Sequence, residues 1–301
     1  MRTAIVTGTS SGIGLETAIA LARKNYRVFA GIRNPAAASA LHEAVAQGLP
    51  IVPVPLNVDQ DSSVRQAVDS VLEREGTVDV LVNNAGFGAS GSLELLPLET
   101  AKALFETNYF GAIRMIRAVV PGMRERRSGA IVNISSVFGR LTMATHGHYA
   151  ATKYALEAAS EALAAEMRPF GVRVALIEPG VIATAIWGKG GGPAERDNPY
   201  FTAMRRLGRF FKAQLQEPTM PATVAEIIAH AVETENPRLR YTVGADAALC
   251  LEGRCRVDDE EWIGWQSESG DHEFEAKARE IFGADLYHSP SANSLAKKAS
   301  S

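Results

Sequence analysis

The sequence predicts an α/β protein, a single-domain doubly wound parallel β-sheet with helices on both faces. Three observations carry that expectation. Short apolar runs rich in Val, Ile and Leu recur between residues 3 and 177, segments of helical spacing separate them, and a glycine-rich turn follows the first run and opens a helix. Runs that are continuously apolar, without apolar–polar alternation, belong to strands buried on both faces, the condition of parallel strands between two helical layers.

The strand-like runs are residues 3–7, 27–30, 51–56, 80–82, 130–134 and 173–177, with 239–243 placed to close a sheet edge. Between Asp61 and Glu75, Val64, Val68, Val71 and Leu72 recur at helical spacing, and Asp61, Ser62 or Ser63 is available to cap the start. A further helix is expected from Thr223, where Glu226 completes a capping-box pattern, and another over 273–282. The stretch from Trp187 to Pro193 is glycine-rich, and Pro199 to Met220 mixes aromatic and basic residues. Residues 185–222 are therefore expected to form a mobile cover over a site. The main domain is expected to span 1–250, followed by a partly helical extension over 251–290 and a small, polar, disordered tail over 291–301.

With 301 residues and 46% hydrophobic content, the chain has ample material for a core. A formal net charge of -3 argues against a nucleic-acid-binding surface. No apolar run approaches the roughly 18 residues needed to span a bilayer, and Met1-Arg2-Thr3 leads straight into a strand with no signal-like segment. A soluble, cytoplasmic protein is expected. Cys250 and Cys255 are too sparse for a disulfide scaffold and lack zinc spacing, so they read as reduced thiols and no metal is expected. There is no internal repeat.

The first strand enters Thr7-Gly8-Thr9-Ser10-Ser11-Gly12-Ile13-Gly14. Glycines at 8, 12 and 14 permit a tight turn, approach of backbone N–H groups to a pyrophosphate, and close packing of helix on strand, while the helix N-terminus supplies partial positive charge. This is the strand–turn–helix context of the dinucleotide-binding (Rossmann) fold. After the second strand, where a carboxylate would accept the adenosine ribose hydroxyl, the chain has Gly31-Ile32-Arg33-Asn34. An arginine there suits a 2′-phosphate. NADP(H) is thus the expected cofactor over NAD, with Arg33 on the phosphate and Ser10 or Ser11 as a hydroxyl partner.

Tyr149 and Lys153 stand four residues apart in an alanine-rich segment. On a helix such residues share a face with Cβ atoms about 5–6 Å apart. A phenol titrates near 10, and a neighbouring cation is expected to lower that value by stabilising the phenolate. Ser136 stands thirteen residues before Tyr149, with Ser135 beside it. Successive strand residues point to opposite faces, so one hydroxyl of the two is expected to face the site.

The ordered set Gly8-x-x-x-Gly12-x-Gly14, Asn83-Asn84-Ala85-Gly86, Asn108, Ser136 and Tyr149-x-x-x-Lys153 resembles the short-chain dehydrogenases/reductases over about residues 3 to 184, more weakly to about 250. The Ala30-Gly31-Ile32-Arg33 stretch is similar to NADP-using ketosteroid and carbonyl reductases. The resemblance implies hydride transfer between nicotinamide and a carbonyl or secondary alcohol. In it Tyr149 is the general acid/base, Ser136 the hydroxyl that steadies the developing alkoxide, and Lys153 the group that lowers the Tyr149 pKa and holds the nicotinamide ribose. Asn108 would anchor a water leading protons to Lys153. It further implies that Asn84, Ala85 and Gly86 lie against the adenosine side, that Asn57-Val58 meets the adenine where relatives often have Asp-Val, and that Pro179, Gly180, Ile182 and Thr184 meet the nicotinamide end. Relatives commonly pair through the helices near Thr100 and Tyr149, which implies a homodimer or homotetramer.

His146 and His148 flank Gly147 and are candidates for the substrate pocket or for a structural pair. Met143, Phe87, Trp187, Tyr200 and Phe201 are candidate apolar wall residues, suggesting a hydrophobic ketone, steroid-like or aliphatic. Two other readings compete: a nucleotide-sensing regulator without chemistry, which would have no need of Ser136, Tyr149 and Lys153 together, and a sugar-nucleotide epimerase or dehydratase, which the glycine spacing and short C-terminal part disfavour.

Replacing Arg33 by Ala is expected to erase a preference for NADPH over NADH. Steady-state turnover with both cofactors checks this, and equal use of the two by the unmodified protein would refute it.

Overall fold

The computed structural model describes residues 1–184 and 196–288, except for the side chain of Ala37. Among the described residues, seven strands form one sheet: β1 (Arg2–Thr7), β2 (Tyr26–Ile32), β3 (Ile51–Pro55), β4 (Val80–Asn83), β5 (Gly129–Ile134), β6 (Val172–Pro179) and β7 (Arg240–Val243). Their order is β3-β2-β1-β4-β5-β6-β7, and every pairing is parallel. The chain winds outward from β1 to β3, then returns to β4 beside β1 and winds the other way. Such a reversal opens a crevice at the carboxyl ends of the two central strands. The glycine turn after β1 and the Asn84–Gly86 segment after β4 both sit there.

Residue alternation along each strand divides the core in two. Ala4 and Val6 of β1 and Val80 and Val82 of β4 pack on one layer of helices, α1 (Gly12–Arg23), α2 (Ser39–Ala46) and α8 (Pro221–Glu233), through Leu21, Leu41 and Ile228. Ile5, Leu81 and Ile131 face the opposite way, onto α3 (Asp61–Glu75), α5 (Ala112–Arg126) and α6 (Gly147–Met167), where Val68, Met115 and Met167 meet them. Helix α4 (Leu98–Phe105) precedes α5, and a single π-helical turn over Glu106–Gly111 joins them.

Helix α3 spans Asp61–Glu75 as expected, but its cap and the start of a second helix are corrected. Helix α3 begins after Gln60, and none of Asp61, Ser62 and Ser63 caps it. The Ser63 hydroxyl instead accepts from the Asn57 amide at 2.9 Å, and the Asp61 carboxylate pairs with Arg114 at 2.5 Å. Helix α8 begins at Pro221, before Thr223. The fixed φ of proline suits the first helical position, whose N–H needs no partner, so Thr223 is already inside the helix and the capping box with Glu226 does not form.

The C-terminal part builds a third apolar cluster. Helix α7 (Phe201–Gln214) lies against α9 (Ala245–Arg256), α10 (Asp259–Gln266) and α11 (Asp271–Phe282), with Trp262, Trp265, Phe274 and Phe282 between them. Residue 250 falls within α9, whose Cys250 is buried in this cluster. Arg206 of α7 is only 4% exposed. Its guanidinium donates to the Asp271 carboxylate at 3.0 Å, to the Glu268 and Gly270 carbonyls at 2.7 and 3.0 Å, and lies 4.2 Å from the centre of the Phe274 ring. A buried guanidinium needs most of its five donors met, and here the α10–α11 loop meets them. From the same helices, Trp262 donates to the Thr142 carbonyl at 3.1 Å and Gln266 accepts from the Ala144 amide at 2.7 Å. The segment from Trp187 to Pro193 and the tail over 291–301 lie outside the described residues.

Candidate active site

The floor of the site is the glycine turn. Gly8 and Gly12 have φ of 72° and 61°, in the left-handed region that other residues enter at a cost. A Cβ on Gly14 would lie 2.3 Å from the Gly8 carbonyl oxygen and 2.4 Å from Asn84 Nδ2, so only glycine fits there. Asn84 holds the turn from the β4 side: its amide nitrogen donates to the Thr7 and Gly8 carbonyls at 2.9 and 3.1 Å, while the Thr7 hydroxyl accepts from the Asn84 and Ala85 backbone amides. The Asn84 side chain therefore shapes the cradle as well as bordering it. Ser10, Ser11, Ile13, Asn57, Val58, Ala85 and Gly86 line the same cavity, and Arg33 is exposed at its rim with no ion pair to any described residue. Asn57 Oδ1 accepts from the Asp59 amide at 3.2 Å, leaving its amide nitrogen and one lone pair for a ligand.

At the other end, β5 delivers Ser136 and α6 delivers Tyr149 and Lys153. Ser136 Oγ accepts from the Phe138 amide at 3.2 Å, and Lys153 Nζ donates to the Ile134 carbonyl at 2.9 Å. The neighbouring Ser135 hydroxyl lies on the Glu157 side of Gly139, as strand alternation requires. Asn108 sits in the π-helical turn, an irregularity frequent at functional sites. Its amide nitrogen donates to the Phe87 carbonyl at 2.9 Å and to Thr152 Oγ1 at 3.2 Å, and its oxygen accepts from the Phe87 amide at 3.0 Å. The side chain thus ties the Gly86–Phe87 loop to α6, and the expected water would be left only the second lone pair of its oxygen, or its backbone.

One cavity of about 1300 Å³ runs from the glycine turn and Arg33 to Ser136, Tyr149 and Lys153, with Pro179, Gly180, Ile182 and Thr184 along one wall. Of the expected apolar wall residues, Phe87 and Phe201 line it, whereas Met143 is buried in the third core cluster and the Tyr200 hydroxyl donates to the Glu94 carboxylate. Trp187 lies outside the described residues. His146 borders the cavity and His148 does not.

The family model for short chain dehydrogenase matches residues 2–191, and that span holds the glycine turn, Ser136, Tyr149 and Lys153. The chain belongs to the short-chain dehydrogenase family. It is 43% identical over 193 residues to human "Retinol dehydrogenase 8", an alignment that covers 62% of this chain and 61% of that protein. The crystal structure of a short-chain dehydrogenase from Streptomyces avermitilis superposes with a TM-score of 0.76 at 35% identity, over 89% of this chain and 98% of that one. An alcohol dehydrogenase from the archaeon Thermococcus sibiricus, complexed with 5-hydroxy-NADP, gives a TM-score of 0.68 at 26% identity, over 81% and 96%.

In this short-chain dehydrogenase the Tyr149 end of the cavity is walled by residues not singled out in the sequence. Met204, Leu207, Gly208 and Phe211 lie on one face of α7, Leu215 follows at its end, and Phe138 borders the same cavity from the turn after Ser136. Their spacing of three, four and seven was present in the Pro199 to Met220 segment, masked by the interspersed basic residues, of which Arg206 is buried and Arg205 and Lys212 also border the cavity.

The electrostatics also depart from the expectation. Burial pushes Tyr149 up to about 12, against a hydrogen bond with Ser136 that lowers it. Burial pushes Lys153 down to about 8, against the carboxylate of Glu157, which raises it. The ammonium is 5.7 Å from the centre of the Tyr149 ring. Burial of the phenolate sets the direction, and the group that opposes it is Ser136 and not Lys153. His146 is lowered to about 3 by burial and is neutral.

A lysine whose pKa falls on folding binds fewer protons in the native state than in the unfolded one, so stability rises with pH across that window. Lys153 is expected to make the cofactor-free protein more stable from about pH 8 towards pH 10, beyond which the raised pKa of Tyr149 acts in the opposite sense. Urea denaturation over that range checks this, with Lys153→Met expected to flatten the rise.

Proposed function

We propose that this protein is an NADP(H)-dependent cytoplasmic oxidoreductase that transfers a hydride between the nicotinamide and a carbonyl or secondary alcohol of a hydrophobic substrate. One observation carries the reading: a single cavity joins the Gly8–Gly14 cradle to the hydroxyls of Ser136 and Tyr149. The residues fit the cofactor. A Cβ at Gly8 would come within 2.9 Å of the Ala85 backbone and at Gly14 within 2.3 Å of the Gly8 oxygen, so the cradle is closed to side chains and presents backbone amides. Arg33 stands unpaired among the described residues where a 2′-phosphate would lie, and no carboxylate follows β2 there. The NADP analogue in the Thermococcus relative supports the same choice.

When bound, the cofactor supplies the hydride. Tyr149 would give its proton to the substrate oxygen, and a phenol held near 12 is fully protonated at neutral pH, which suits reduction of a carbonyl. The Phe138 amide fills one lone pair of Ser136 Oγ, and the hydroxyl's hydrogen, which bonds Tyr149, would pass to the substrate oxygen as charge develops. Lys153 has three donors, of which Ile134 takes one, and the remaining two would hold ribose hydroxyls. Phe87, Phe138, Phe201, Met204, Leu207 and Phe211 make the substrate half apolar, and the name of the human relative points the same way. Phe110 on the π turn and Tyr154 on α6 are each exposed, which is in keeping with a homodimer or homotetramer paired through these helices.

Tyr149→Phe is expected to lower NADPH oxidation with a ketone by about 10²–10⁴-fold, with NADPH binding by fluorescence titration within about twofold of the unmodified protein. A variant keeping more than a few per cent of the rate would point to another acid. Light scattering is expected to give a mass of two or four chains, and a 32.2 kDa particle would remove the pairing.

A further inference from the structure

His146 is 6% exposed, yet it borders the cavity beside Tyr149. Its Nδ1 lies 3.1 Å from Ser90 Oγ, and its Nε2 has no hydrogen-bond partner among the described residues. That nitrogen is not among the buried polar atoms left without a partner, so it keeps access to the cavity, where a ligand group can reach it. The ring is also held firmly. It is packed between Phe138, Tyr149 and Phe211, with centroids 4.5, 4.8 and 5.6 Å away. The backbone enters through Thr145, which is buried, has a φ of 67° that is rare for a β-branched residue, and carries a hydroxyl without a partner. Backbone held in such a conformation beside a cavity must be over-determined by its surroundings. Here the Gly91 amide donates to the Thr145 carbonyl at 2.7 Å, so the Ser90–Gly91 segment grips both the backbone and the ring.

We propose that His146, set by Ser90, is a specificity-determining residue that hydrogen-bonds a second oxygen of the substrate, close to the carbonyl that Tyr149 serves. The inference rests on the hydride-transfer reading above and names its substrate class: apolar ketones carrying a hydroxyl about two or three bonds from the reacting carbon, the separation that lets two oxygens each reach a donor at about 2.7–3.0 Å from neighbouring rings. A hydroxyl fits whichever tautomer is present. If Ser90 donates to Nδ1, Nε2 carries the hydrogen and the substrate oxygen accepts; if Ser90 accepts, Nε2 is the acceptor and the substrate hydroxyl donates. Burial keeps the imidazole neutral, so it reads a neutral oxygen and does not compete with Tyr149 as an acid.

The test compares kcat/KM for 4-hydroxy-2-octanone and 2-octanone, with NADPH and with NADH, in the full-length protein. The unmodified protein is expected to favour the hydroxyketone by about tenfold, the size of one well-placed hydrogen bond. His146→Leu is expected to bring the ratio to about one, His146→Gln to restore part of it, and Ser90→Ala to lower it. Thermal midpoints report whether each variant folds; should the Leu variant not fold, the Gln and Ser90→Ala ratios decide. A ratio near one in the unmodified protein, or a preference that survives both His146→Leu and Ser90→Ala, overturns the inference while leaving ketone reduction standing. Turnover of neither ketone with either cofactor removes the hydride-transfer reading and the inference with it.

Discussion

The side-chain amide of Asn84 holds together the place on which the rest of the site depends. A doubly wound sheet necessarily leaves a gap where β1 and β4 run side by side and their following loops diverge. Asn84 closes that gap from below by bonding the Thr7 and Gly8 carbonyls, which fixes the glycine turn in its left-handed path. Asn108 does the corresponding work one layer up, joining the Phe87 backbone to Thr152 on α6. Between them the two amides set the cradle and the helix bearing Tyr149 and Lys153 at a fixed separation. An amide suits such a position because it donates and accepts at once and carries no charge that burial would penalise.

Burial governs the reactive end. Tyr149, Lys153 and His146 all shift towards their neutral forms, and in each case desolvation is the leading cause. The opposing influences are local: the Ser136 hydroxyl on the phenol and the Glu157 carboxylate on the lysine. Glu157 is itself buried, one turn beyond Lys153 on α6, and it is held by Arg240 of β7 at 2.9 Å. The charge state of the lysine is thereby linked to the far edge of the sheet, through an ion pair on the side of α6 away from the cradle.

The central architecture was legible because its signals are short-range. Continuous apolar runs marked six of the seven strands as buried on both sides, and the positions of Gly8, Gly12 and Gly14 follow from turn sterics that any reader of the sequence can apply. Ser136, Tyr149 and Lys153 converge because strand and helix periodicity put them there. What escaped the sequence was set by contacts between distant parts. Nothing near Thr223 announces that Pro221 starts α8 first, nor does the Ser63 region reveal that its hydroxyl serves Asn57 in place of the helix. The desolvation of Tyr149 depends on how deeply α6 is covered, and the apolar face of α7 shows itself as a wall only once the C-terminal helices have taken its other side.

Arg206 gives that last arrangement a practical meaning. Its donors are committed to residues 268–271, none of which lines the cavity, so α7 is tied at that point to the turn between α10 and α11. For anyone wishing to reshape the pocket, that loop is a remote handle on the helix that carries Leu207 and Phe211. The glycine cradle has no residue in the third apolar cluster, whereas Tyr149 packs against it.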